Sequence, residues 1–302
     1  MEINRIIELI EKSKNGDLYF IRKMTDGYKS YKPRTSDTLI EKITDMILHY
    51  LKFFSEKEQI VFNPMGYRDE TIEKYKVKDI EDYKSLIESF EYPKIEGLEK
   101  EIDNLKSYCI SYDVIDNNQN EKILLLRRIN KLKKLRNNGF LIHFRGEELV
   151  DIDDEVFGID NEIDLIIYKD EILILNHIAL ERIFDLTIQY KNKAKETLKI
   201  LRDKVRISNF DKFEEDCLND SRYKKALTKM LNEKELIEKS FDNHRNLIEI
   251  IDTFDLQIEY ELYPEFILVY EYKNQIMDFL RIIRDSYYIS INQNRPGCDE
   301  KI

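Results

Sequence analysis

The chain has 302 residues, 42% apolar and 36% charged, with a net charge of -11. It holds enough apolar material for a sizeable core, and its charges are too well mixed for wholesale disorder. The acidic total argues against a protein that coats nucleic acid over its whole surface. No apolar run nears the roughly 20 residues that span a bilayer.

Met1 to Glu11 places apolar residues at helical spacing, with acids among them, unlike a signal peptide. Asn15-Gly16-Asp17 predicts a turn, and Leu18 to Ile21 a strand. Lys29 to Thr35 is expected as a loop around Pro33. Ser36 or Asp37 is placed to cap a helix running to about Phe54. Gln59 to Phe62 reads as a short strand, and Thr71 to Phe90 as helical pieces. From Ser107 the period changes to that of strands. Tyr108 to Val114, Lys122 to Ile129, Gly139 to Phe144, Glu147 to Ile152, Ile163 to Tyr168 and Glu171 to Leu175 form an expected meander. Asp116-Asn117-Asn118 and Lys169-Asp170 supply turns. His177 to Val205 reads as one long helix. Further helices are expected over Phe210 to Leu218, Arg222 to Leu231, Glu233 to Thr253 and Glu271 to Arg284. Short strands fall at Gln257 to Leu262, Phe266 to Tyr270 and Tyr287 to Ile291, and the end is expected to fray at Pro296-Gly297. The fold class is therefore α+β, a central, mostly antiparallel β meander flanked by helical segments.

Motifs for chemistry fail on inspection. Asp151 to Glu162 resembles a calcium loop, but Val156 stands where its sharp turn needs Gly. Asp164 and Glu171 invite comparison with a metal-dependent nuclease. The usual Glu-x-Lys strand would put Lys at 173, where Leu173 stands, so Asp164 is read as a turn or polar-edge residue. His49, His143, His177 and His244 lack metal-ligand spacing, and His143 is read as packed. No phosphate-binding loop, GxGxxG or GxSxG occurs. No catalytic residue, metal site or cofactor is assigned, and a non-enzymatic protein is expected. Cys109, Cys217 and Cys298 read as reduced thiols of a cytoplasmic protein.

One feature stands against the acidic background. From Lys122 to Arg145 there are eight Lys or Arg and no Asp or Glu, so the remainder carries -19. Arg127, Arg128, Lys131, Lys133, Lys134 and Arg136 crowd its middle. If Leu124 to Ile129 is a strand, both arginines cannot face the core. Such a cluster suits phosphate, because each cation releases condensed counterions and Arg adds a two-pronged contact. The competing reading is a solvated run paired with the chain's own surplus acids. A second basic segment, Lys191 to Arg206, puts Lys191, Lys195, Lys199 and Arg202 along one side of a helix. It is read as an exposed helix face ahead of a ligand site.

The block LLLRRINKLKKLRNNGFLIHFRGEELV, then EIDLIIYKDEILILNHIALERIFDL, and the C-terminal FLRIIRDSYYISI resemble the KwaB-like family. These are soluble components of the Kiwa anti-phage defence system. The likeness covers roughly residues 105 to 205 well and the first 100 poorly. It suggests a division into a 1–105 N-terminal α/β region and a 106–302 family-like region, with a central sheet at 106–176 and a helical part at 177–302. The resemblance implies a cytoplasmic homodimer that binds DNA and works with a KwaA-like membrane protein at the inner face of the membrane. It carries over no contact residue. The alternatives are a metal-dependent nuclease and a protein–protein adaptor.

Overall fold

The computed structural model describes residues 2–13, 16–94, 96–98, 103–129, 142–145, 148–151, 158–233, 235, 237, 244–291 and 294–299. It is α+β, with a large and mostly antiparallel sheet. The chain divides into two compact units, Met1–Phe62 with Asp69–Asp185, and Asn63–Arg68 with Leu186–Ile302.

The first unit is built on eight strands. They are β1 (Gly16–Met24), β2 (Gly27–Tyr31), β3 (Glu58–Val61), β4 (Thr71–Lys76), β5 (Ser107–Asp116), β6 (Gln119–Arg128), β9 (Leu165–Tyr168) and β10 (Glu171–Ile174). Their order across the sheet is β2-β1-β5-β6-β9-β10-β4-β3. Among the described strands of this sheet only β3 and β4 pair in parallel. The helices are α1 (Ile3–Lys12), α2 (Asp37–Leu51), α3 (Tyr83–Glu91) and α4 (His177–Phe184).

Continuous buried runs in β5, β6 and β9 give each of these strands two apolar faces, because successive side chains point to opposite sides and both sides of the sheet are covered. Leu18, Phe20, Tyr108, Ile110, Tyr112, Ile123, Leu125 and Ile166 share a core with Ile6, Leu9 and Ile10 of α1 and Ile43, Ile47 and Leu51 of α2. On the other face Tyr19 meets Phe90 of α3, and Tyr28 meets Phe184 of α4. Ser36 caps α2 as expected, its side chain accepting from the Leu39 N–H. Asn117 and Asn118 close β5 onto β6 with φ of 51° and 63°, the left-handed pair that a two-residue hairpin needs. Gly27 closes β1 onto β2 at φ 137°, where a Cβ would also collide with the Ser85 hydroxyl.

Several expectations give way. Thr71 to Lys76 is a strand, not helix, because Glu73 to Lys76 pair with β10 and Thr71 to Lys74 with β3. The expected strands at Gly139 to Phe144 and Glu147 to Ile152 do not continue the meander. Instead, among the described residues, β7 (Ile142–Arg145) and β8 (Glu148–Asp151) pair only with each other, and β6 pairs directly with β9. Strand β1 pairs with β5, so the eight-stranded sheet takes strands from both sides of residue 105. The long helix is broken at Asp185, which is left-handed at φ 49°.

The second unit is mainly helical: α5 (Thr187–Lys204), α6 (Phe210–Leu218), α7 (Ser221–Leu231), α8 (His244–Thr253) and α9 (Ile276–Ile283). It adds two hairpins, β11 (Glu259–Glu261) with β12 (Ile267–Val269), and β13 (Tyr287–Ile289) with β14 (Pro296–Cys298). The segment expected to fray at Pro296-Gly297 is thus a paired strand. Phe213, Tyr270 and Phe279 form the aromatic centre of this core, with ring centroids 5.2 to 5.9 Å apart.

Candidate functional site

The site lies where β6 ends and the basic segment begins. The run Leu124 to Leu126 is buried, and the alternation then delivers Arg127 to the α1–α2 face and Arg128 to the opposite one. Neither position suits a free charge. Arg127 has a side chain only 5% exposed, so its charge has to be met by partners inside the protein.

Three carboxylates from the approach to β9 meet it. Arg127 Nε donates to Asp160 Oδ1 at 3.0 Å, and Nη2 donates to Asp160 Oδ2 at 2.7 Å. Nη2 also donates to Glu162. Nη1 donates to Asp164 Oδ1 at 2.9 Å. The Tyr108 hydroxyl, across the ladder from Arg127, donates to Asp160 at 3.2 Å. All three guanidinium nitrogens are therefore occupied. Burial alone would lower the Arg127 pKa. The hydrogen bonds it donates to Asp160 and the charges of Asp164, Asp160 and Glu162 outweigh it and raise the pKa above its ordinary value. Burial pushes the nearby Tyr50 hydroxyl up to about 12, with Glu162 adding to the shift.

Asp164 is the hub. It is fully buried, not the turn or polar-edge residue expected from sequence. Besides Arg127 it accepts the Arg128 backbone N–H at 2.7 Å and the Asn176 amide at 2.9 Å. Its own N–H donates to the Leu126 carbonyl at 2.9 Å, and its carbonyl accepts from the Leu175 N–H at 2.9 Å. One residue thus joins the ends of β6, β9 and β10.

Arg128 is arranged differently. Its Nε lies 3.6 Å from Asp164 Oδ2, and the side chain is 20% exposed. Its buried Nε makes no hydrogen bond. Among the described residues nothing else engages its guanidinium. The expectation that one arginine of the pair turns outward is met by Arg128 only in part, and Arg127 is turned fully inward. Lys131, Lys133, Lys134 and Arg136 lie outside the described residues.

Sequence reasoning missed Asp160, Glu162 and Asn176 as partners. A signal existed, because Asp164 and Arg127 each interrupt an apolar run, and a charge there needs a counter-charge. It also missed that His177 Nδ1 lies 2.6 Å from Glu73 Oε2, with the Phe62 ring 5.2 Å away. Among the described residues no group of three His, Cys, Asp or Glu side chains is placed to hold a metal ion. Among them no helix is long and apolar enough to cross a membrane.

A family model described as Kiwa protein KwaB-like matches residues 102–292, more than half of the chain and the whole of this network. No curated protein and no solved structure matches. The chain belongs to the KwaB-like family, and with it to the components of Kiwa anti-phage defence.

Proposed function

We propose that this protein is a non-enzymatic DNA-binding component of its defence system, and that it acts with a membrane partner. The observation that carries the reading is the division of labour between two adjacent arginines. Arg127 is consumed by Asp160, Glu162 and Asp164, and fixes the end of β6. Arg128 keeps a guanidinium with no hydrogen-bonding partner among the described residues, at the point where Lys131, Lys133, Lys134 and Arg136 follow in sequence. Phosphate contact from this stretch therefore falls to Arg128 and the four cations beyond it, with Arg127 as a positioning residue.

The nuclease reading asks Asp164 to hold a metal. Its carboxylate is fully buried and already accepts from an arginine, a backbone N–H and an asparagine. That occupation leaves no lone pair aimed at solvent, so the non-enzymatic reading is preferred.

The test replaces Arg128, Lys133 and Lys134 by Glu and leaves Arg127 alone, because a carboxylate there would join three others. Binding of a DNA duplex is followed by fluorescence anisotropy over a salt series. Loss of three phosphate contacts lowers the slope of log K against log salt by about 2.7. Unchanged affinity and slope would remove this stretch from DNA binding. Incubation of the wild type with DNA and magnesium or manganese accompanies it, and cleavage products would revive the enzymatic reading.

A further inference from the structure

The two edges of the eight-stranded sheet are finished differently. Along β2 the outward backbone groups find partners inside the chain. The Tyr28 N–H donates to the Ser85 hydroxyl at 3.1 Å. The Ser30 carbonyl accepts from the Lys94 N–H at 2.9 Å, and the Lys32 N–H donates to the Lys94 carbonyl at 2.9 Å. At the other edge β3 pairs in parallel with β4, and among the described strands with no other.

Alternation along β3 decides which groups are left over. The Phe62 N–H donates to the Lys74 carbonyl at 2.9 Å. Phe62 and Ile60 therefore turn their backbone groups towards β4, and Gln59 and Val61 turn theirs away from the sheet. Among the described residues no backbone or side-chain group bonds the N–H or C=O of Gln59 or Val61. Val61 is 81% exposed, so the edge stands open to solvent there. Natural edges are blunted by lysine, proline, a bulge or a covering segment. The strand Glu58-Gln59-Ile60-Val61 has no lysine or proline, and its register with β4 runs without a bulge. Its protections are the charge of Glu58 at one end and its length of four residues. Both limit the strength of a contact without satisfying the open groups.

We propose that the β3 edge is a self-association surface, which pairs antiparallel with the β3 edge of a second copy of this chain across a two-fold axis at Ile60. The inference stands apart from the DNA-binding reading. An antiparallel partner has to present an outward-facing residue opposite each outward-facing one. An axis at Ile60 does this for both, setting Gln59 of each copy against Val61 of the other, so that every open N–H meets an open C=O. The same register sets Glu58 against Phe62 of the other copy and keeps the two Glu58 carboxylates at opposite ends of the ladder. A two-fold contact needs a surface that is its own complement, and this edge meets that condition. The ladder is short, and contacts below about 1,200 Å² in total are weak, so a dissociation constant on the order of 10–100 μM is expected.

The test is sedimentation velocity on the full chain between about 1 and 300 μM, a range that brackets that constant. The wild type is expected to pass from monomer to dimer across it. Val61→Pro removes an outward N–H that takes no part in the β3–β4 ladder. One bond is lost from each copy, so the dissociation constant is expected to rise roughly 10–100-fold. Amide hydrogen exchange at residue resolution on the wild type decides the matter if that variant misfolds. The Gln59 and Val61 amides gain protection as concentration rises, whereas those of Ile60 and Phe62 are protected throughout. A wild type that stays monomeric over the whole range overturns the proposal. So does a dimer whose Gln59 and Val61 amides exchange as they do in the monomer, since it assembles through another surface. Neither result bears on DNA binding, which the salt slope tests separately.

Discussion

Replacing Asp164 by Ala removes one acceptor from three donors at once. Arg127 Nη1, the Arg128 N–H and the Asn176 amide lose a partner that stood 2.9, 2.7 and 2.9 Å away. A buried donor left unsatisfied costs about 1–3 kcal/mol, and breaking a buried ion pair by deleting one side costs about 3–5 kcal/mol. Arg127 retains Asp160 and Glu162, so the lower part of the summed range applies, about 3–5 kcal/mol. Hydrogen exchange with mass spectrometry is the suitable assay, because it reads opening of β6 and β9 without requiring one global transition. At about 1.4 kcal/mol per factor of ten, amides near Arg128 are expected to exchange roughly two to four orders of magnitude faster. Glu162→Gln is the control. Its side chain is 52% exposed, so its loss costs no more than about 1 kcal/mol. An Asp164→Ala protein whose β6 and β9 amides exchange within tenfold of wild type would refute the network as the anchor of the strand end.

Two further outcomes follow from ionisable groups elsewhere. Asp116 accepts from Lys169 at 2.8 Å, Tyr168 at 2.5 Å and Arg5 at 2.7 Å, and these bonds hold its carboxyl well below the usual range. A depressed folded pKa means that its stabilisation is complete above the unfolded value of about 3.9 and is lost as pH falls below it. Urea midpoints measured from pH 5 to pH 3 should fall less steeply for Asp116→Asn than for wild type, and equal slopes would contradict this. Burial pushes the Cys109 and Cys217 thiols well above their ordinary range, whereas Cys298 is partly exposed. A thiol-disulfide reagent at pH 8 is expected to titrate one thiol promptly in the native protein and three in urea. Prompt reaction of two or more would place one of the buried thiols nearer the surface.

What the sequence made legible was local. Strands β5, β6, β9 and β10 emerged from alternation and turn residues within a few positions, as did the Ser36 cap. Strand β4 was missed because its alternation is carried by Thr71, Glu73, Lys74 and Lys76, and charge hides a half-buried period. The Arg127–Asp164 pair was missed because it joins positions brought together only by the β6–β9 register, Leu126 opposite Leu165. Nothing local announces that register once a β7–β8 pair intervenes. The exposed side of α5 that carries Lys191, Lys195 and Lys199 was visible as spacing.

The direct pairing of β6 with β9 leaves a long stretch of chain to be closed at its neck. Residues 127–164 are, in topological terms, an enlarged hairpin loop. The ladder on its inner side is set by Leu126 and Leu165 whatever the loop contains. Growing such a loop from a few residues to this length costs about 2 kcal/mol in closure entropy. The ionic clasp between Arg127 and Asp160, Glu162 and Asp164 sits at its neck and counters that cost. The β7–β8 pair thus lies between two chain ends that the clasp holds together.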